Sequence, residues 1–319
     1  MAGRLLALVG PTASGKTAVA VALAKRIDAE LVSADAVAVY TGLDIGSAKP
    51  TADELQGIPL HGVDLAQPNV DFTVHDYEAA ATGSIDAIRA RGRFPLVVGG
   101  TGLYVRPLVA SLALPPVPPD PAIRARLNSE AEANGPGVLH ARLAAIDPES
   151  AQRIQTGDTR RIVRALEVWE TTGRPMSEFH TPEGVHGIPK SGTFVVGLER
   201  PRDILYQRID RRVDTMLDDG FIDEVRELLE AGWNPSLKSL SSLGYRHLIQ
   251  YLVGEKSLAE AVDELKRDTR RYAKRQIAWF RNDPSVHWIG VDNDEDPESV
   301  AQRIEALWRN STEQGTGTP

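Results

Sequence analysis

The chain contains no cysteine. That absence excludes a disulfide scaffold, a cysteine nucleophile, a zinc finger or ribbon, and a thiolate iron–sulfur site. It fits a reducing compartment. Long apolar runs are also missing, since stretches such as Leu5–Val9 and Pro95–Val98 are far shorter than a membrane span. Met1-Ala2-Gly3-Arg4-Leu5 runs straight into a strand-like segment, so no signal peptide is expected, and a cytoplasmic protein with no membrane attachment is the expectation. Positive charge is in overall deficit, with 36 Lys and Arg against 44 Asp and Glu and a formal net charge of −8. Taken globally, that argues against nucleic-acid binding. The rest is ordinary. The chain has 319 residues, 42% of them hydrophobic and 25% charged, which suits one large or two modest domains with a substantial core.

Five short apolar runs read as strands: Leu5–Val9, Glu30–Asp35, Phe94–Val98, Thr193–Leu198 and Val286–Val291. Helical stretches at Thr17–Ile27, Tyr77–Arg91, Ile204–Met216 and Ile222–Ala231 separate most of them. The alternation predicts an α/β fold with a parallel sheet covered on both faces. The pattern breaks after the third strand. A stiff proline-rich connector, Leu114–Pro121, leads into Ala122–Asn134, Gly137–Ile146, Glu149–Gln155 and Thr159–Thr172, which carry helical signals and no good strand. Gly173–Gly192 is then rich in Gly, Pro, His and Ser. Residues 115–190 are therefore expected to form a mostly helical insertion in a discontinuous core of 1–114 and 191–308. Residues 309–319 are polar and read as a disordered tail.

Gly10-Pro11-Thr12-Ala13-Ser14-Gly15-Lys16-Thr17 matches G-x-x-x-x-G-K-[ST], between a strand and a helix. Small residues let successive backbone amides turn around a phosphate, and the helix adds the positive end of its dipole. Lys16 brings a mobile charge, and the Thr17 hydroxyl can bind Mg²⁺. By typical residue frequencies the pattern arises by accident in roughly 1% of chains this long. The loop does not identify the reaction. It can hold the phosphates of a nucleotide such as ATP, or the pyrophosphate of another substrate.

Asp35 ends the second strand and should face the same crevice as Lys16. It can serve as a general base or a magnesium partner, or merely cap the next segment. Gly99-Gly100-Thr101-Gly102 is another strand-to-loop transition whose Thr101 and amides can reach a phosphate. Alone it signals only a turn. The acidic total also conceals a basic helix. Lys266–Arg281 holds Lys266, Arg267, Arg270, Arg271, Lys274, Arg275 and Arg281 against the single acid Asp268. Steps of about 100° put all seven bases on one half and Leu265, Tyr272, Trp279 and Phe280 on the other. Without compensating acids, such a face reads as a phosphate-binding surface.

In order, Gly10–Thr17, Ser33-Ala34-Asp35, Tyr40–Pro50, Val97–Tyr104, Arg160–Glu167, Arg208–Val213, Leu243–Arg246 and Tyr272–Phe280 resemble the bacterial tRNA dimethylallyltransferase (IPP transferase) family. The resemblance spans about residues 5 to 290. It implies a P-loop NTPase-like core and transfer of a dimethylallyl group from its diphosphate to N6 of the adenosine at tRNA position 37. The phosphate loop then holds dimethylallyl diphosphate with Mg²⁺ at Thr17, Asp35 is the general base, and Thr101 and Arg212 assist with the pyrophosphate. The resemblance also assigns tRNA contacts. They are Asp35-Ala36-Val37-Ala38, Thr101, Arg124, and Ser241, Gly244, Tyr245 and Arg246. The basic clusters themselves add Arg160, Arg161 and Arg164, a second cluster in the insertion, and Lys274, Arg275, Gln276 and Arg281 of the basic helix.

Two departures stand out. Family members usually carry serine after the base, where this chain has Ala36, and Ala38 also lacks a hydrogen-bonding group. Ser47 stands where threonine is common. A monomer is expected. Rival readings are a P-loop kinase or ATPase, a prenyltransferase acting on free adenine nucleotides, and a non-catalytic RNA-binding protein. The first leaves the basic clusters unexplained, the second does not need them, and intact Lys16, Thr17 and Asp35 oppose the third.

Overall fold

In the structure, a computed structural model, residues 4–111, 117–179 and 187–314 are described, the last three without their side chains. The chain divides into two compact units, Met1–Val109 with Pro189–Pro319, and Ala110–Ile188. Residues 114–116 of the proline-rich connector and residues 180–186 of the Gly/Pro/His/Ser segment lie outside the described residues.

The first unit opens on β1 (Leu5–Val9), the phosphate loop and α1 (Lys16–Ile27), then β2 (Ala29–Ala34). A short helix, α2 (Ala52–Leu55), starts on a capping box of Thr51 and Glu54 and precedes the two-residue strand β3 (Leu60–His61). Thr73 and Asp76 form a second capping box for α3 (Val74–Ala90). β4 (Phe94–Gly99) and α4 (Gly102–Val109) follow. Short strands β5 (Ala110–Ser111) and β6 (Ile188–Pro189) mark where the chain passes to and from the second unit.

In that second unit, proline occupies the first turn of α5 (Pro121–Asn134), α6 (Pro136–Ile146) and α7 (Pro148–Arg153), where a missing amide costs nothing. Aspartates cap α5, α7 and α8 (Thr159–Thr172), and Gly173 ends α8 in the left-handed region. Leu127, Leu139, Leu143, Ile162 and Leu166 fill its core. Inside it lies a fully buried carboxylate, Glu167, which accepts from Arg124 Nε (2.8 Å), Arg164 (2.6 Å) and the Asp120 amide (2.7 Å).

The chain returns through β7 (Thr193–Glu199), α9 (Arg202–Asp218), α10 (Phe221–Glu230), α11 (Tyr245–Leu252), α12 (Leu258–Arg281), β8 (Val286–Gly290) and α13 (Pro297–Gln314). Six strands form one parallel sheet in the order β3-β2-β4-β1-β7-β8. Its residues alternate between two cores. Leu6, Leu8, Leu31, Leu96 and Val196 pack under α1 and α13, while Ala7, Val9, Val32, Val97 and Val195 pack under the helices of the other face. Both faces are covered, as continuous apolar strands require. The tail expected from residue 309 is corrected, because α13 continues to Gln314. Trp308 anchors it edge-on to Phe94, and Arg309 pairs with Glu305 one turn back at 2.6 Å.

Candidate active site

Parallel pairing sets the carboxyl ends of β2, β4 and β1 side by side, so three loops meet there. The Thr101 amide donates to the Ala34 carbonyl at 3.1 Å, and the Thr101 hydroxyl oxygen accepts from the Ala36 amide at 3.1 Å. Asp35 Oδ1 accepts from the amides of Val37 (2.8 Å) and Ala38 (3.2 Å). Oδ2 has no hydrogen-bond partner among the described residues. One carboxylate oxygen therefore caps the local turn, and those bonds leave the other oxygen out.

In the phosphate loop, Ala13 sits at φ 62, a left-handed conformation that costs a residue with a Cβ about 1–2 kcal/mol. Two arginines of the β7–α9 region hold this turn. Arg208 Nε donates to the Ala13 carbonyl and Arg200 Nε to the Ser14 carbonyl, each at 2.9 Å. The peptide is planar, with its carbonyl and amide on opposite edges. Arg200 thus turns the Gly15 amide away from itself. Among the described residues the amides of Gly15, Lys16 and Thr17 have no backbone acceptor, and they open the α1 N-terminus as a cradle for an anion.

Lys16 Nζ folds back on the Pro11 carbonyl at 2.7 Å. Burial, and then the charge of Arg212, push its pKa down to about 7, with Asp35 opposing. Burial also pulls the Arg212 guanidinium below its ordinary value, again against the attraction of Asp35. Among the described residues Arg212 has no ion pair. Lys16, Arg212 and Asp35 thus feel one another's charge, two basic groups and one acid.

A pH dependence follows. Free Lys16 is mostly neutral above about pH 7. A bound diphosphate favours the ammonium, so binding takes up a proton above that pH. Affinity then falls by up to about tenfold per pH unit until the bound lysine's own pKa is reached. Calorimetry at alkaline pH in buffers of different ionisation enthalpy should show the uptake. Lys16→Arg, which keeps its charge, should lose it, and equal uptake by the two proteins would sink the assignment.

The basic face of α12 needs correction. Its bases are not without acids, because other elements supply them. Lys266 pairs with Asp214 (2.5 Å), Arg270 with Asp210, and Arg281 with Glu199 (2.8 Å). Asp268 takes Arg271 (3.2 Å), Arg267 (3.6 Å) and Arg246 (2.8 Å). Among the described residues only Lys274 and Arg275 of the seven lack an acid, and Arg275 lies over the Tyr272 ring.

The other sequence-predicted contacts divide similarly. Arg160 and Arg161 are exposed, whereas Arg124 and Arg164 are spent on Glu167. Ser241 is exposed and Gly244 is buried. Tyr245 is also an interior residue. It is fully buried, lies edge-on to Phe221 and donates to Glu224 at 2.6 Å. Glu224 in turn accepts the amides of Asp44, Ile45 and Gly46, which fixes the loop ahead of Ser47. Ala38 is buried, and Ala36 and Val37 are half-buried.

Gln276 is buried as well. Its Oε1 accepts from the Thr12 amide at 2.8 Å, and its Nε2 donates to the Gly100 carbonyl at 3.0 Å. Sequence reasoning missed the loop-holding roles of Arg200, Arg208, Glu224 and Gln276. Arg208 and Gln276 stand in motifs that the sequence singles out, Gln276 as a tRNA contact, whereas Arg200 and Glu224 give no local signal.

A parallel α/β core with a phosphate loop facing a free carboxylate and two cations defines a P-loop protein built for phosphate-linked chemistry. The IPP transferase family model matches residues 38–283, and the isopentenyl transferase model matches residues 3–71. A tRNA dimethylallyltransferase of Pelotomaculum thermopropionicum is 43% identical over 300 residues, covering 94% of this chain and 95% of its own length. One from Symbiobacterium thermophilum is 45% identical over 305 residues, covering 96% and 95%. Among solved structures, the tRNA isopentenylpyrophosphate transferase of Bacillus halodurans superposes with a TM-score of 0.71 at 38% identity, covering 98% of this chain and 99% of that one. A eukaryotic dimethylallyltransferase acting on tRNA gives a TM-score of 0.80 at 25% identity, covering 99% and 80%. The chain belongs to the IPP transferase family.

Proposed function

We propose that this protein transfers a dimethylallyl group from dimethylallyl diphosphate to N6 of the adenosine at tRNA position 37. The relatives' names, at over 40% identity across nearly the whole chain, support prenyl transfer to tRNA. The observation that carries the finer reading is the free Asp35 oxygen set against Lys16 and Arg212. It supports reading Asp35 as a base for an amine beside cations for a diphosphate leaving group.

N6 of adenine is a poor nucleophile because its lone pair is delocalised into the ring. Asp35 takes the N6 proton as the carbon–nitrogen bond forms and the carbon–oxygen bond to diphosphate breaks. Lys16, Arg212 and the Gly15, Lys16 and Thr17 amides receive the charge on the departing oxygens. Thr101 ties the Asp35 turn to the second glycine loop. The adenosine must leave its stack to reach this centre, at a cost of a few kcal/mol.

Magnesium suits the donors in one way. Among the described residues no cluster of three or more His, Asp or Glu could hold a metal, so a dedicated protein cage is absent there. The Thr17 hydroxyl opening α1, with diphosphate oxygens and water, makes the all-oxygen set that magnesium prefers. Bound there, the ion would neutralise charge on the leaving group.

The test is direct. Purified protein, Mg²⁺, radiolabelled dimethylallyl diphosphate and an unmodified anticodon stem-loop should give labelled RNA. A stem-loop with guanosine at the target should not. Label entering AMP instead, or ATP consumed with no transfer, would move the assignment to the free-nucleotide enzymes or to an ATPase.

The unpaired turn of α12 predicts where RNA phosphates bind. A Lys274→Ala, Arg275→Ala double variant should weaken stem-loop binding and reduce its salt slope by about 1 to 2. A Lys266→Ala, Arg270→Ala double variant should leave the slope near wild type, because carboxylates already neutralise those two. Equal effects from both variants would mean that RNA displaces the acids.

A further inference from the structure

The α12 helix presses on the second glycine loop. A Cβ at Gly100 would lie 2.2 Å from Gln276 Nε2, and one at Gly102 would lie 2.0 Å from Trp279 Nε1. No larger residue fits either position unless the Gln276 or Trp279 side chain shifts. Gln276 is 6% exposed, so it offers nothing to an RNA surface. Its two bonds reach different loops, the Thr12 amide in the phosphate loop and the Gly100 carbonyl one residue before Thr101. One side chain thus joins the two loops.

At every working pH the amide keeps the pair of functions needed here. Its oxygen accepts from one loop while its nitrogen donates to the other. The Thr12 amide is also removed from the anion cradle, which leaves the cradle to Gly15, Lys16 and Thr17. Tyr272, one turn back on α12, lies beside both Gln276 and Thr101. Burial pushes its hydroxyl up to about 12, helped by the charge of Asp35, while the Thr101 and Gln276 side chains work the other way.

We propose that Gln276 is a positioning residue for the reaction, a two-ended amide that sets the spacing between the diphosphate-binding loop and the loop carrying Thr101. The assignment rests on the functional reading above only in naming diphosphate as the ligand. Its test therefore uses inorganic pyrophosphate and stands whether or not a prenyl group is transferred.

Gln276→Leu removes both bonds and leaves a half-buried amide and a buried carbonyl unpaired. It should weaken pyrophosphate at least about tenfold while stem-loop affinity stays at wild type. Gln276→Glu is the sharper probe. As a carboxylate it still accepts from Thr12 but turns a lone pair on the Gly100 carbonyl. Once protonated it can donate again, and burial raises the pH at which that happens. Its pyrophosphate affinity relative to wild type should therefore climb toward one between about pH 8 and about pH 5.5. Lys16, Asp35, Arg208, Arg212 and Tyr272 face the same centre in both proteins, so the ratio cancels their titration. A ratio flat with pH would overturn the proposal. So would a Gln276→Leu protein that binds pyrophosphate normally and RNA weakly. If Gln276→Leu does not fold, the Gln276→Glu ratio decides alone.

Discussion

Asp35→Asn is expected to lower kcat by about 10²–10⁴ while diphosphate and stem-loop affinities stay close to wild type. The substitution is nearly isosteric. The amide oxygen can still accept from the amides of Val37 and Ala38, so the turn that carries the side chain persists. What is lost is the free oxygen's ability to take a proton. Removing a negative charge from beside Lys16 and Arg212 does not weaken diphosphate binding; if anything it relieves repulsion. Asp35→Ala should do worse on both counts, because it removes the cap as well as the base. Two amides are then unpaired, and the Ala36–Ala38 segment loosens around Thr101. Single-turnover kinetics on both variants separate the two jobs. An Asp35→Asn enzyme with a wild-type chemical step would end the general-base reading. A Asp35→Asn enzyme as poor in diphosphate binding as Asp35→Ala would mean that the carboxylate's main role is to build the loop.

Asp35 also shows how far sequence reasoning reaches. The phosphate loop, the strand before it and the acid after the second strand were legible because each depends on local pattern. Small residues, a lysine and a helix start lie within eight consecutive positions, and strand ends follow from short apolar runs. The insertion helices were legible for the same reason, since proline and aspartate mark their starts. Two-residue β3 has no periodicity to read, and α4 carries Pro107 inside it, which argues against a helix in any local scheme.

The charge on α12 misled for a different reason. Asp210 and Asp214 lie on α9 and Glu199 ends β7, so the acids that neutralise the helix are some tens of residues away in sequence. Only packing reveals them. Tyr245 and Gln276 sit in polar or basic runs and look exposed, yet each is a buried hydrogen-bonding link. A motif locates a region, and burial then decides what each residue in it does. The insertion is expected at 115–190 and the compact unit runs Ala110–Ile188, with both sets of boundaries at breaks in the strand–helix alternation.

Arg212→Met should cost about 10²–10³ in kcat, the usual loss for one preorganised group at a site of developing charge. It should do so without lowering Tm. The reason lies in the free protein. Arg212 is half-buried among residues that give it no ion pair, and desolvation already pulls it below its ordinary pKa. A cation held that way is a burden on the fold until an anion arrives. Methionine fills similar space without the charge, so Tm should stay level or rise as activity falls, the pattern of a residue kept for function at the expense of stability.

The donor should also sense the change. Diphosphate affinity should drop, while the pKa of Lys16 should rise toward its ordinary value, since one of the two influences lowering it has gone. Proton uptake on diphosphate binding would then shrink near pH 8 even though Lys16 is untouched. Arg212→Lys restores a charge but not the planar fork, so it should fall between Met and wild type in kcat. If Arg212→Met loses Tm together with activity, the guanidinium is part of the scaffold. If Tm holds and proton uptake is unchanged, Arg212 and Lys16 do not share one electrostatic centre, and the leaving-group site must be redrawn around Lys16 alone.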